Sequence, residues 1–168
     1  MKWDEIEKDC ISIVENSLKE IVSKNDIYVV SLYTDESATS ISFGANSIEN
    51  FEKNVSEKNA TTIEDIAYYK WATDEWDFEG YNAEKFRDIN KWLYENSERN
   101  NFEVFFRKAI ETMILVLKKS KNIIKNDLDK ITLFVAITDN DLAEEIENKS
   151  SREINNPDVN YSFMKRYG

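Results

Sequence analysis

Two runs of the chain, Ile27–Thr34 (IYVVSLYT) and Ile131–Thr138 (ITLFVAIT), are apolar on both faces of an extended backbone. Side chains alternate across a strand, so such runs need cover above and below. A chain that carries them must build a sheet with helices layered on it. Both are expected as interior strands, because an edge placement would leave a flat apolar template for aggregation. In the first run Ile27, Val29, Ser31 and Tyr33 are expected on one face, with Tyr28, Val30 and Leu32 on the other.

The residues between and around these runs supply the layers. Trp3, Ile6, Cys10, Ile13, Val14, Ser17, Leu18 and Ile21 recur at helical spacing within residues 3–24, with acids and lysines opposite. Asp35-Glu36-Ser37 offers a turn into a strand over Ala38–Phe43, which makes an antiparallel hairpin with the first run. Asn46-Ser47-Ile48-Glu49 has capping-box character, with Asn46 as the cap of a short helix ending near Lys58. Asp65–Trp71, rich in aromatics and bounded by polar turns, predicts a third strand. Asn82 is placed to cap a helix carrying Phe86, Ile89 and Leu93. A break at Ser97–Asn101 precedes a second helix with Phe102, Phe105, Phe106, Ala109, Met113, Val116 and Leu117. Five lysines against two aspartates in 118–130 suit a helix C-terminus, where positive charge is favourable. The run at Ile131 gives the fourth strand, Asp141–Glu153 a last acidic helix, and the tail after Pro157 is expected to be loosely held. The expected class is α+β: a single domain over residues 1–168, with a four-stranded, mainly antiparallel sheet and about five helices in the order α-β-β-α-β-α-α-β-α.

Composition narrows function more than fold. The chain has 168 residues, 41% of them hydrophobic, which suits one folded domain despite 33% charge. There is no histidine, which removes imidazole catalysis and the usual zinc ligand sets. The formal charge of -11 opposes nucleic acid and anionic membranes and favours basic partners or divalent cations. Cys10 lies on the first helix's apolar stripe and reads as a small core residue. The N-terminus turns acidic at once, without a signal peptide's apolar core, and no run is long enough to span a bilayer. A cytoplasmic protein is expected.

The densest unusual segment runs from Tyr68 to Tyr81, where Asp74, Glu75, Asp77 and Glu79 interleave with Trp71, Trp76, Phe78 and Tyr81. Three readings fit it. Paired carboxylates divide acid and base duties when their environments separate their pKa values. Aromatics with carboxylates anchor a basic partner. Or the aromatics cover the sheet and the acids face water, with Trp76 as a buried anchor and Asp74 and Asp77 outward. Asp139-Asn140-Asp141 has oxygen ligands but lacks the further ligands and glycine of a calcium loop, so capping by Asp139 or Asp141 is the simpler account. Without a nucleophile elbow or a base, no catalytic residue, metal or cofactor is expected.

Three stretches together resemble a known family. They are Tyr28–Asp35, then Tyr69-Lys70-Trp71 leading to Glu75-Trp76 and Glu79-Gly80, then Leu133-Phe134-Val135 leading to Thr138-Asp139. Their order is similar to the bacterial domain-of-unknown-function family numbered 4303, over roughly residues 3–150. The resemblance implies no catalytic residue. It implies an immunity protein of the polymorphic-toxin or contact-dependent growth inhibition type, an antitoxin that binds its cognate toxin. Electrostatics agrees: a small acidic protein can block a basic cleft with fast association. The partner-binding residues expected are Asp74, Glu75, Asp77, Glu79 and Tyr81 in the loop, with Glu144, Glu145 and Glu147 on the last helix. The alternative is a small carboxylate-based enzyme or ligand-binding domain, marked by a closed pocket uniting Asp74, Glu75 and Asp139.

Overall fold

The apolar period of residues 3–24 becomes α1 (Trp3–Val22), whose stripe of Ile6, Cys10, Val14, Leu18 and Ile21 is buried. In the computed structural model, residues 1–97, 99–123 and 130–166 are described. After α1 come β1 (Ile27–Thr34), β2 (Ser42–Ser47), α2 (Ile48–Glu57), α3 (Ile63–Trp71), α4 (Arg87–Asn96) and α5 (Phe102–Ile123). The chain closes with β3 (Thr132–Ile137), α6 (Ala143–Ile154) and α7 (Pro157–Met164). The class is α+β, but the sheet is three-stranded and mixed, in the order β2-β1-β3. β1 pairs with β2 antiparallel, as a hairpin demands, and with β3 parallel. Parallel pairing needs a long crossover, and the stretch of helices from α2 to α5 provides one.

The expected strand over Asp65–Trp71 is instead the body of α3. Thr62 accepts a hydrogen bond from the Asp65 amide, Glu64 and Asp65 occupy the first turn, and Lys70 the last. These end signals, aligned with the helix dipole, prevail over the strand preference of Tyr68, Tyr69 and Trp71. The cap of α2 is Ser47 rather than Asn46, which stays in β2. Asn82 does not cap: its backbone is left-handed and its amide donates to Ser17 Oγ at 2.9 Å. Asn140 Oδ1, not Asp139 or Asp141, accepts from the backbone where α6 begins. The tail after Pro157 is α7, with Phe163 buried. Of the basic segment 118–130, the first residues end α5, as a helix C-terminus was expected to, and residues 124–129 lie outside the described residues.

β1 is central, as its two apolar faces require, but β3 is an edge strand, contrary to expectation. Side chains protect that edge. Asn155 donates to Leu133 O at 2.7 Å and accepts from Leu133 N at 3.0 Å, in place of a neighbouring strand. Ser150 Oγ accepts from Val135 N at 2.9 Å. Covering an edge this way removes the template for pairing with another chain. The β2 edge is covered too, because Phe78 N and Tyr81 N donate to Ala45 O and Phe43 O.

The larger core lies on one side of the sheet, where Val30, Leu32, Leu133 and Val135 meet α1, α4, α5 and α6. The smaller lies opposite and contains Val29, Phe134, Trp76 and Phe163. An irregularity in the register between Ile27 and Val29 places Ile27 with Val30 in the larger core and Tyr28 against the smaller. The first two residues thus reverse the simple alternation, as a bulge does.

Asp35 holds the hairpin turn. Its carboxylate accepts from the amides of Ser37 and Thr39 and from the hydroxyls of Thr39 and Ser40. Burial raises the Asp35 carboxyl, but these hydrogen bonds outweigh it and hold the group below its ordinary value. Asp35→Ala should destabilise the protein by about 2 kcal/mol, the scale of hydrogen bonds to a charged group. A depressed carboxyl stabilises above the unfolded pKa of about 3.9 and loses that contribution as pH falls through the folded value. The stability gap to Asp35→Asn, measured in urea, should therefore shrink below about pH 4. A gap that widens there would contradict this account of the turn.

Candidate functional site

The segment 72–81 leaves α3, crosses the smaller core and runs beside β2. Trp76 anchors it, with 4% of its surface exposed and its ring edge-on to Phe134 at 6.0 Å between centroids. Gly44 makes room: a β-carbon there would sit 3.3 Å from both Trp76 Cε3 and Tyr33 Cε1. Trp76 is buried as expected, and Asp74 and Asp77 are exposed.

The loop's acids are nevertheless occupied within the protein. Asp77 accepts from Ser47 Oγ at 2.7 Å and from Ser47 N at 3.3 Å. That Ser47 hydroxyl in turn accepts from Asn50 N, so Asp77 supports the cap of α2 and sits at its positive end. Tyr33 Oη donates to Glu79 at 2.5 Å, and burial followed by this carboxylate pushes the phenol well up. Tyr68 Oη lies 3.2 Å from both Asp74 Oδ2 and Glu75 Oε1. Burial and these acids push the Tyr68 phenol up to about 12. Tyr81 Oη donates to Glu20 at 3.0 Å. Glu75 O accepts from the side chains of Asn50 and Asn54. The hydrogen bonds of the five loop residues expected to meet a partner thus fasten the loop to β1, β2, α1, α2 and α3.

Beside this loop lies an open cleft of about 660 Å³ at the carboxyl end of β3. Asp74, Asp139 and Glu147 line it with Tyr68 and Trp71, whereas Glu75 does not. Glu147, expected on a binding face, is committed elsewhere. Arg166 reaches it from beyond α7 at 2.9 Å, with side-chain exposures of 1% and 17%. The guanidinium also donates to Asn148 Oδ1 and lies over the Phe163 ring at 4.1 Å. Burial pushes the Glu147 carboxyl up, against the downward pull of Arg166.

Glu144 and Glu145 are exposed on α6, as expected of partner-binding residues. Next to Glu145, α5 and α6 leave a groove of about 470 Å³ between them. Ile110 and Ile146 are buried among its lining residues, and Phe102 and Leu142 remain 37% and 49% exposed. The sequence shows Phe102 and Phe106 as part of a helix's apolar set but gives no sign that they lie at an open face.

An α+β protein with both sheet edges covered and an acidic, partly apolar helical face is the class that fold and surface define. The chain belongs to the family described as domain of unknown function (DUF4303), whose model matches residues 10–156. No curated protein and no solved structure matches it. Among the described residues, no helix is long and apolar enough to cross a membrane.

Proposed function

We propose that this protein is a cytoplasmic immunity protein that neutralises a cognate bacterial toxin, of the polymorphic or contact-dependent inhibition type, by non-catalytic binding. The observation that carries it is the exposed face where Asp141, Glu144 and Glu145 of the α6 end adjoin exposed Leu142 and Phe102. Apolar anchors beside a rim in which acids outnumber bases suit a basic protein surface, and the charge of -11 speeds encounter with one. The loop 72–81 contributes by fixing the framework rather than by offering free carboxylates.

The ligand-binding alternative draws on the cleft that unites Asp74 with Asp139. Two of its acids are already engaged, since Asp74 faces Tyr68 and Glu147 is held by Arg166, which leaves Glu64 and Asp139. The binding face is therefore the better supported of the two.

Co-expression with a candidate cognate toxin domain tests the proposal. Growth should be restored, and the purified proteins should co-elute as a stable complex. Toxicity that persists with abundant, folded protein would reject it. Association measured by stopped flow should also slow strongly as salt rises, while dissociation changes less. Glu144→Lys and Glu145→Lys should slow it further without unfolding the protein.

A further inference from the structure

The groove between α5 and α6 has an apolar floor and a charged rim, and its chemistry selects an occupant. Phe102 and Phe106 stack along α5 with ring centroids 5.6 Å apart, and Leu142 stands on the opposite wall. Glu103 and Glu111 from α5 and Glu145 from α6 line the same groove, against Arg107 and Lys149. In the adjoining hollow on α6, Asp141 and Glu144 add two acids and Arg152 one base, so acids still exceed bases across the two. None of the five charged lining residues forms an ion pair with another described residue. Their charges remain available to a partner, and acids exceed bases.

We propose that this groove is the docking surface for a basic amphipathic helix of the partner protein, with apolar residues seated against Phe102, Phe106 and Leu142 and lysines or arginines meeting the acidic rim. The proposal deepens the binding reading above and rests on it for the partner's being a toxin. Apolar side chains at i and i+4, Phe102 with Phe106 on α5 and Leu142 with Ile146 at the start of α6, line the two walls and match the spacing presented by a third helix. A second copy of this chain is the wrong occupant. It would bring another charge of -11 and set the same acidic rim against itself. β-strand addition is not the mode, because both sheet edges are already covered by Asn155, Ser150 and the loop before Tyr81.

The probe is a synthetic helical peptide with leucines on one face and lysines on the rest. Its controls are the same peptide with glutamates for lysines, and with alanines for leucines. Titration into the isotope-labelled protein, followed by amide NMR, should shift residues of 102–111 and 140–149. The lysine peptide should bind at least tenfold more tightly than either control. Leu142→Ser should weaken it about tenfold, and Glu103→Lys with Glu145→Lys should weaken it similarly and flatten its salt dependence. The reversal Glu52→Lys on α2 should leave it unchanged. Thermal melts of each variant separate lost binding from lost folding, because Leu142, Glu103 and Glu145 are all exposed. Equal binding of the glutamate peptide, shifts mapping to another face, or self-association abolished by Leu142→Ser would each overturn the proposal. The two readings fail separately. Toxin protection that survives the groove variants would remove the groove and leave immunity standing. Groove binding of the peptide with no protection from the toxin would do the reverse.

Discussion

Trp76→Ala should destabilise the protein by about 3–5 kcal/mol, the usual range for removing a large buried aromatic. At this chain length that lowers the melting temperature by on the order of 10 °C. The indole fills the smaller core beside Phe134 and lies over Gly44, so truncation leaves a cavity where the loop meets the sheet. The loop would lose the contact that holds Phe78 and Tyr81 along β2. Trp76→Phe should cost much less. It keeps a ring against Phe134 and removes an indole N–H that is buried without a hydrogen-bond partner among the described residues. Urea denaturation of the two variants checks this. If both cost the same, or alanine costs under about 1 kcal/mol, Trp76 is not the anchor.

The parts of the fold legible in the sequence are those where one periodicity acts alone. α1 shows a clean helical stripe, and β1 and β3 show runs apolar on both faces that mark them as covered strands. Where two signals compete, as in residues 63–71, aromatic content suggested a strand while the weaker-looking cap at Thr62 decided for a helix. Pairing direction was hidden because the chain between β2 and β3 is long enough for either sense. The place of β3 at an edge was hidden for another reason. Its cover comes from Asn155 and Ser150, polar residues whose pattern marks only a helix surface. The loop's four carboxylates looked free because Ser47, Tyr33 and Tyr68 become their donors only in three dimensions. At the candidate site, the acids of α6 were legible as an exposed charged run, whereas the groove beside them exists only through the packing of α5 on α6.

The acids of α6 are not equivalent, and a substitution series should separate them. Glu147→Ala should cost about 3 kcal/mol, because it removes a 2.9 Å carboxylate contact from the buried Arg166 guanidinium. The cost falls at the lower end of the range for broken buried pairs, since Asn148 and the Phe163 carbonyl still accept from Arg166. Glu144→Ala and Glu145→Ala, both at exposed positions, should change stability by less than about 0.5 kcal/mol. Removing both partners is the sharper test. Glu147→Leu with Arg166→Met exchanges a buried pair for apolar bulk and should recover most of the loss of Glu147→Ala. If the double variant is as unstable as the single one, the guanidinium's other contacts matter more than its charge pair. If Glu147→Ala is neutral, α7 does not depend on this link, and Glu147 returns to the set of acids available for a partner. Binding experiments on α6 should therefore reverse Glu144 and Glu145 and leave Glu147 intact, so that a lost interaction is not a lost fold.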